Sequence, residues 1–405
     1  MTTASSDKSF GKFPHELYHQ SFSVPFDYPV YFTRDVFARE NGLLASTLDR
    51  LNESRRHRVL IYLDAGVASA HPRLAVQIKD YFHARPETLE LCSSPEIIPG
   101  GEAAKGSWER VRDVLWTIGN HHLDRQSFVL AMGGGSVLDM VGFATSLVHR
   151  GLRLVRMPTT VLAQCDAGIG VKNGMNEHGM KNFIGTFSPP FAVLNDFSFL
   201  GTLSERDWTG GVVEAFKVAI IKDREFFRFL CENADRLRAR DQKVMETTIH
   251  RAALLHLEHI RTGGDPFELG AARPLDFGHW AAHKLESLSG YAIGHGQAVA
   301  VGIAIDSFYA SRQGLLGPEE FEAIIDGMTR VGLPIWDNLL DSRTPEGIPV
   351  ILEGLEQFRE HLGGILTVTL PDSIGRKREV HEMYPNVIEE ALAYLKNRHA
   401  KATKS

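Results

Sequence analysis

Three histidines lie close together in the stretch LDFGHWAAHKLESLSGYAIGHGQ, residues 275–297, and an acidic residue, Asp276, precedes them. His279 and His283 are four residues apart, so a helix would present both imidazoles on one face. His295 follows after a short polar turn and could complete the same site from the next element. The spacing allows either a divalent metal site or a buried polar network, and it makes His283 as plausible a ligand as His279.

A carboxylate that could complete a metal site occurs in the apolar stretch 210–221. Glu214 lies within this stretch, where a charged side chain is unfavourable unless it is paired. Lys217 follows close to one helical turn later and could face the same cavity. Three histidines with an isolated glutamate favour a metal over a cluster of hydrogen-bonded core histidines. Their nitrogen and oxygen donors suit Zn²⁺ or another divalent first-row ion.

A second chemical feature is the glycine turn within 127–147, where an apolar strand is followed by glycines 133–135 and then by a helix. Glycines allow a ligand to approach the backbone closely, and a helix N-terminus favours an anion such as a pyrophosphate. Asp139 lies in the first turns of that helix, and an upstream loop could add Glu102 for ribose hydroxyls and Lys105 for phosphate. These residues predict a nucleotide site. The pattern is not the GxGxxG fingerprint, and a tight turn without a ligand is the alternative.

The segment 164–187 is rich in glycine, asparagine and lysine and is expected to be a loop between two strands. It contains too much glycine for a helix, and its polar side chains suit a polyhydroxylated anion. Arg150, at the end of the preceding helix, adds positive charge. The polar residues of interest are Asp166, Lys172, Lys181 and Asn182. A solvated surface loop is the alternative interpretation.

The elements that must position these residues differ between the two halves of the chain. In the first half, short apolar strands alternate with helices, as in 127–147 and 152–160, which predicts a parallel sheet with both faces covered. The second half has helical periodicity, and 244–260 is amphipathic. We therefore expect an α/β domain over residues 1–200, an α-helical domain over residues 201–405, and a ligand-binding cleft between them.

The composition argues against several classes of function. The chain has 405 residues and a net charge of −6 without a long basic run, whereas nucleic-acid binding needs clustered lysine and arginine. It contains no run of about 18 apolar residues, as a membrane span would need, and its start lacks the apolar core of a signal peptide. Its three cysteines are far apart, which predicts neither a disulfide framework nor a zinc finger. We expect a cytoplasmic protein whose partner is a small molecule.

The chain resembles the sugar phosphate cyclases of the 3-dehydroquinate synthase superfamily in an ordered series of motifs, namely MGGGSVLDMVGF, MPTTVLAQCDAGIGVKNGMN, KNFIGTF, GGVVEAFK, LDFGHWAAHKLE and GHGQAVAVGIA. The resemblance extends from about Asp64 to the C-terminal helices. It implies a dehydroquinate synthase-like fold with an N-terminal Rossmann-like parallel-sheet domain for NAD⁺. The C-terminal α-helical domain would bind the metal and the substrate.

The resemblance also implies roles for individual residues. It implies that NAD⁺ is held by Asp64, Glu102, Lys105, Gly134, Gly135, Ser136, Asp139, Thr159 and Thr160. It implies that the metal, usually Zn²⁺ and alternatively Co²⁺, is bound by Glu214, His279 and His295. It implies a substrate pocket with Asp166, Lys172, Lys181, Asn182, Lys217 and His283. The family pattern thus moves His283 from the metal to the substrate, as a polar or proton-transferring group. Arg150 would contact the substrate phosphate, and that contact could cross the interface of a homodimer.

The implied reaction is an internal oxidation and reduction that ends in ring closure. A secondary alcohol of the sugar phosphate is oxidised by NAD⁺, which acidifies the neighbouring C–H and lets phosphate leave. The hydride is then returned, and an intramolecular aldol step forms the carbocycle. The metal would polarise the alcohol and the ketone, and NAD⁺ would be regenerated in each turnover.

Three positions depart from true 3-dehydroquinate synthases, and in that family the groups concerned serve a substrate carboxylate. Asp276 stands where those enzymes have asparagine in an LNFGH motif, Arg273 is three rather than four residues before it, and a lysine on the preceding helix has no clear counterpart. Two like charges about 4 Å apart repel by about 1 to 4 kcal/mol at effective dielectric constants of about 80 to 20. Asp276 therefore predicts a substrate without a carboxylate.

The segment 358–383 resembles the corresponding part of the 2-epi-5-epi-valiolone synthases, with His361 in the sequence REHLGG where dehydroquinate synthases have lysine. That group acts on sedoheptulose 7-phosphate, a ketose phosphate without a carboxylate. The sequence DFGHWAAHKLE also resembles cyclases encoded in ebo-type gene clusters. We therefore predict a cyclase that converts sedoheptulose 7-phosphate into an epi-valiolone-type cyclitol.

Three other interpretations compete with this prediction. The first is a 3-dehydroquinate synthase proper. The second is a metal-dependent alcohol or glycerol dehydrogenase, which also uses a GGGS turn; the lysine-containing segment 172–182 argues against it, because a small alcohol needs no phosphate pocket. The third is a non-catalytic binding protein derived from an enzyme, against which stands the intact set Glu214, His279 and His295.

Overall fold

The computed structural model describes residues 19–178, 180–263, 265–267 and 274–402. Arg273 lies outside the described residues, and so does the side chain of His361. The strands are β1 (Val30–Thr33), β2 (His57–Asp64), β3 (Leu89–Leu91), β4 (Glu96–Ile98), β5 (Phe128–Gly133), β6 (Arg153–Pro158), β7 (Lys172–Glu177), β8 (Met180–Phe187), β9 (Ala192–Asp196), β10 (Val368–Pro371) and β11 (Lys377–Val380). The helices are α1 (Leu43–Leu48), α2 (Ala65–Ala70), α3 (Leu74–His83), α4 (Trp108–Asn120), α5 (Gly135–Leu147), α6 (Glu205–Lys222), α7 (Arg224–Glu232), α8 (Ala234–Arg238), α9 (Gln242–Thr262), α10 (His279–Leu288), α11 (His295–Arg312), α12 (Pro318–Val331), α13 (Glu353–His361) and α14 (Pro385–Ala402).

A parallel sheet forms the centre of the first half, in the order β1-β9-β6-β5-β2-β3, with β4 pairing with β2 further along. The strands are apolar on both faces because helices cover both faces. In β2, Val59, Ile61 and Leu63 pack in the same core as α1 and α3, whereas Leu60 and Tyr62 pack in the core with α4 and α5. The predicted Rossmann-like α/β fold is confirmed by this arrangement.

The edge of the sheet that matters for ligands is the one where the strands end. β2 ends at Asp64, β5 at Gly133 and β6 at Pro158. After β2 the chain adds β3 and β4 on one side of that strand, and α4 then leads to β5 on its other side. Ligands of open parallel sheets bind outside the carboxyl ends of the strands at such a switch point.

The segment predicted to be a polar loop is a β-hairpin instead. After a short π-helical turn at Ala163–Ala167, β7 and β8 pair antiparallel. A Cβ on Gly174 would lie 2.8 Å from the carbonyl oxygen of Ile184, and a Cβ on Gly185 would lie 2.5 Å from that of Asn173. The loop prediction is wrong because the glycines that disfavour a helix allow these two backbones to approach closely.

The chain after β9 is mostly helical, with α6, α10 and α11 at its centre. α11 is buried from Gly296 to Ala310 with few interruptions, and its small residues let neighbouring backbones come near. Gly302 of α11 packs directly against the backbone of Gly278, the residue before α10. None of the helices in the described ranges combines the length and the apolar character that crossing a membrane requires. The predicted helical second half is confirmed, and a domain division at residues 200 and 201 stays a prediction.

Candidate active site

A cleft of about 1270 Å³ lies between the carboxyl edge of the sheet and helices α6, α9, α10 and α11. The predicted NAD⁺ residues on its lining are Asp64, Glu102, Lys105, Gly134, Gly135, Ser136, Asp139, Thr159 and Thr160. The predicted substrate residues on its lining are Asp166, Lys172, Lys181, Asn182, Lys217, Asp276 and His283. The fold therefore gathers into one cavity residues that are spread over most of the sequence.

Three candidate metal ligands converge where three helices meet. Glu214 comes from the middle of α6, His279 begins α10 and His295 begins α11. One donor atom from each lies within 4.8 Å of the other two, and His295 Nε2 is 3.8 Å from Glu214 Oε1. His283 is not a member of this group, although its ring centroid is 5.5 Å from that of His279.

A hydrogen bond to a backbone carbonyl fixes the tautomer of His279, whereas Nδ1 of His295 lies beside both an acceptor and a donor. Nδ1 of His279 lies 3.1 Å from the carbonyl oxygen of Phe277, and since a carbonyl only accepts, this nitrogen carries the proton. Nδ1 of His295 lies 3.3 Å from Oε2 of Glu286, which accepts, and 3.4 Å from Nζ of Lys181, which donates. Nε2 of His279 is thereby left as an electron-pair donor, the arrangement found around metal-ligating histidines.

The surroundings of Glu214 also fit a bound cation. The residue is 1% exposed, and its Oε1 accepts no hydrogen bond from the described part of the chain. Burial raises the pKa of Glu214 to about 7, although the positive charge of Lys217 lowers it. Burial and the positive charge of Lys217 hold the pKa of His279 well below its usual range, so this imidazole is in the neutral form that binds metals. The donor set suits Zn²⁺ or Co²⁺.

A chain of charged groups leads from Glu214 into the cleft. Lys217 Nζ lies 2.5 Å from Glu214 Oε2 and 3.0 Å from Asp166 Oδ2, and His256 Nδ1 lies 2.9 Å from Asp166 Oδ1. Burial alone would raise the pKa of Asp166, but Lys217 and His256 hold it well below its usual range. Burial would likewise lower the pKa of Lys217, but Asp166 and Glu214 raise it. Lys217 is therefore a fixed positive charge beside the metal candidates.

The hairpin reaches across the cleft to the helical half. Lys181 Nζ on β8 lies 2.6 Å from Glu286 Oε1 on α10, and the other oxygen of Glu286 faces His295. Burial would raise the pKa of Glu286, but His295 and Lys181 lower it, so the group is a carboxylate. One side chain thus connects the hairpin with a metal candidate.

A polar network also connects the hairpin with the cofactor side. Glu102 accepts hydrogen bonds from Ser136 Oγ at 2.9 Å and from Asn176 Nδ2 at 2.8 Å. Lys105 Nζ lies 2.7 Å from Asp139 Oδ2 and also donates to the side-chain oxygen of Asn182. Among the described residues, the α5 N-terminus has no side-chain cap, since its N-cap is Gly134. Its backbone N–H groups can therefore face an anion.

Sequence reasoning missed Glu286, His256 and Asn176, which all contact predicted site residues. Glu286 follows His283 by one helical turn, and that spacing could have identified it. His256 and Asn176 carry no local signal, because their partners come from distant elements. Arg150 lies apart from the cleft lining, exposed in a turn after α5 where its φ is 68°.

Two family models match adjacent stretches of the chain. The model described as 3-dehydroquinate synthase N-terminal matches residues 96–210, and the one described as 3-dehydroquinate synthase C-terminal matches residues 211–350. A 3-dehydroquinate synthase from Sulfurovum sp. (strain NBC37-1) is 33% identical over 318 residues, which cover 76% of this chain and 84% of that protein. A 2-epi-valiolone synthase from Actinosynnema mirum is 31% identical over 344 residues, which cover 82% of this chain and 89% of that protein.

A solved structure is similar over nearly the whole chain. It is that of ValA, a 2-epi-5-epi-valiolone synthase from Streptomyces hygroscopicus subsp. jinggangensis 5008, with NAD⁺ and Zn²⁺ bound. The two chains are 32% identical with a TM-score of 0.83, and the match covers 94% of this chain and 100% of the other.

Proposed function

Since this chain belongs to the 3-dehydroquinate synthase family, we propose that it is a member that cyclises sedoheptulose 7-phosphate to an epi-valiolone-type cyclitol. Membership makes it a phosphate-eliminating sugar phosphate cyclase. The choice of substrate rests on one observation, the carboxylate of Asp276 on the lining of the cleft that His279 and His295 also line. A carboxylate accepts hydrogen bonds from hydroxyl groups and repels a second carboxylate.

We propose that NAD⁺ and a divalent metal, Zn²⁺ or Co²⁺, are the cofactors. The metal would be held by Glu214, His279 and His295, and the nucleotide by the cleft residues at the carboxyl edge of the sheet. When bound, these groups would supply hydride transfer and polarisation of the reacting oxygen. The unsatisfied buried oxygen of Glu214 and the uncapped α5 N-terminus support these assignments.

The remaining polar residues of the cleft would bind and handle the sugar phosphate. Lys172 and Lys181 of the hairpin would attract the phosphate and hydroxyl groups, with Asn182 beside them. Lys217, held charged by Asp166, would stabilise negative charge on oxygen near the metal. His283 would transfer a proton, since it lies close to the metal histidines without being one of the converging donors.

We further propose that the enzyme works as a homodimer in the cytoplasm, with Arg150 of each subunit serving the site of its partner. The exposed position of Arg150 apart from its own cleft supports this arrangement. The thiols of Cys92, Cys165 and Cys231 are all free, in keeping with a reducing compartment.

The test is a comparison of phosphate release from two substrates, with NAD⁺ and Zn²⁺ or Co²⁺ added. Release from sedoheptulose 7-phosphate, and none from 3-deoxy-arabino-heptulosonate 7-phosphate, is the expected result, and NMR of the product would give its stereochemistry. Release from the second substrate alone would make the protein a 3-dehydroquinate synthase. The 33% identity to a protein of that name is what favours this alternative.

A further inference from the structure

We infer that Asp306, a residue of α11 outside the cleft, is a positioning residue of the proposed metal centre. It accepts a hydrogen bond from the backbone N–H of Gly278, before His279, and one from the side chain of Trp280, after it, and so sets where this histidine stands relative to His295. The inference rests on the proposed metal site and adds to it a residue whose own side chain touches neither substrate nor metal.

Asp306 is 0% exposed and uses both of its carboxylate oxygens. Oδ1 accepts a hydrogen bond from the indole Nε1 of Trp280 at 2.8 Å, and Oδ2 accepts one from the backbone N–H of Gly278 at 3.0 Å. These two donors are the residues immediately after and immediately before His279. One carboxylate therefore fixes both neighbours of a candidate ligand.

The start of α10 depends on this contact. Gly278 is the N-cap and has φ 81° and ψ −5°, a left-handed conformation that favours glycine. In a capping box, the side chain at the third helical position accepts the N-cap N–H, but here that position is Ala281, which has no acceptor. Asp306 supplies the missing acceptor from the neighbouring helix.

The same helix carries the other histidine. His295 is the first residue of α11, and Asp306 lies about three helical turns further along on the same side. Gly302, between them, packs against the Gly278 backbone, and the tight approach leaves no room for a Cβ. α11 thus contributes one ligand and, through Asp306, orients the residue that begins α10 with the second ligand.

Packing alone does not explain why a carboxyl group is buried at position 306. Asp306 takes part in no ion pair within the described part of the chain, and a buried carboxyl group is costly without strong partners. The residues around it on α11 are apolar or small, as in the helix-helix contacts elsewhere in this half. A role in holding His279 explains why a polar group is found there.

The experiment compares wild type with Trp280→Phe and Asp306→Asn, using Zn²⁺ affinity in competition with a chelator and the visible absorption of bound Co²⁺. Trp280→Phe removes one hydrogen bond and keeps an aromatic ring, so it remains informative if Asp306→Asn fails to fold. We expect Zn²⁺ affinity to fall about 10- to 100-fold, as for other residues that orient metal ligands. The Co²⁺ spectrum should also change. NAD⁺ affinity should remain that of wild type.

Leu237→Ala in α8 is the control, because it removes a buried side chain from a helix that packs against α7, α9 and α12. It should lower the melting temperature while Zn²⁺ affinity and the Co²⁺ spectrum stay unchanged. If Trp280→Phe and Asp306→Asn also bind both metals as wild type does, the positioning role is refuted and the metal centre stands. If wild type itself binds no metal, the proposed metal centre fails and this inference fails with it.

Discussion

The histidines of segment 275–297 acquire different chemistry from their neighbours in the fold. His279 directs Nδ1 toward the carbonyl oxygen of Phe277, which leaves Nε2 for a ligand, and Nδ1 of His295 lies beside both Glu286 and Lys181. His283 lines the cleft without joining the converging donors. Residue types alone therefore do not define the site; the groups that surround each imidazole do.

Replacing His279 or His283 by alanine should separate these roles. His279→Ala should lose the metal and phosphate release together. His283→Ala should keep the metal and lower kcat about 100-fold or more, as expected for loss of a proton-transferring group. Metal content of the purified proteins and phosphate release would be measured side by side. Full activity with bound metal in His279→Ala would remove it as a ligand, and metal loss in His283→Ala would reverse the two assignments.

The carboxylate of Asp276 should determine which sugar phosphate is accepted. Asp276→Asn should retain the metal and lower kcat/KM for sedoheptulose 7-phosphate by about tenfold or more, because a charge-assisted hydrogen bond to a hydroxyl is weakened. Asp341→Asn, which alters a carboxylate paired with Lys396 outside the cleft, serves as the control. Kinetics that are equal in wild type and Asp276→Asn would exclude this residue from substrate selection.

At the scale of elements, the β7–β8 hairpin connects the two sides of the cleft. Lys181 on β8 reaches Glu286 of the helical half, and Asn182 and Asn176 contact Lys105 and Glu102 on the cofactor side. The register of the hairpin therefore sets the positions of several candidate substrate-binding residues at once.

Gly185→Ala should disturb that register. The new Cβ would lie 2.5 Å from a backbone oxygen of the opposite strand, and such overpacking costs about 1 to 3 kcal/mol. We expect lower stability in urea unfolding and a higher KM, since Lys181 and Asn182 shift with β8. Gly119→Ala in α4 is the matched control: its Cβ meets nothing within 4 Å, and stability should rise by up to about 1 kcal/mol. Wild-type stability and KM in Gly185→Ala would show that the hairpin tolerates the change.

The contact between α10 and α11 should make stability depend on pH through Asp306. Burial raises the pKa of Asp306 to about 7, although the hydrogen bonds from Trp280 and Gly278 lower it. In the unfolded chain an aspartate has a pKa of about 3.9. The folded state therefore binds the proton more tightly, and stability should fall as pH rises from about 4 to about 7. In urea unfolding of metal-free protein, wild type should lose stability relative to Asp306→Asn over this range. If wild type and Asp306→Asn differ in free energy of unfolding by the same amount at the low-pH and the high-pH end of this range, the raised pKa of Asp306 is contradicted.

At the scale of the whole molecule, a sheet half and a helical half enclose one cleft, and Arg150 lies apart from it on the same chain. If two copies share their sites, each cleft would use the arginine of the other subunit. An isolated subunit would then lack one phosphate contact, and its site would be incomplete.

Mixing two inactive variants tests this arrangement. Arg150→Ala and His279→Ala should each have little activity alone. After subunit exchange, the mixed dimer should contain one complete site, so activity should return to about a quarter of wild type. Analytical ultracentrifugation would establish the oligomeric state. If activity does not return although mixed dimers form, Arg150 acts within its own subunit or not at all.

Much of the architecture was determined by the sequence itself. The apolar strand and glycine turn of 127–147 and the amphipathic pattern of 244–260 predicted β5, α5 and α9, because periodicity reflects which faces are buried. The isolated Glu214 in an apolar helix likewise predicted a metal ligand, since a buried charge needs a partner. The hairpin was missed because its glycines suggest a loop until the facing strand is known.

Tertiary structure decided the rest. Spacing could not separate His279 from His283, because both lie on one face of α10; the hydrogen bond of His279 to Phe277 and its convergence with Glu214 of α6 distinguish it. Likewise, the pairing of His256 with Asp166 and of Asp306 with the start of α10 leaves no trace in local pattern. These contacts join elements that are distant in sequence, and they exist only once helix packing has brought the side chains within hydrogen-bonding distance.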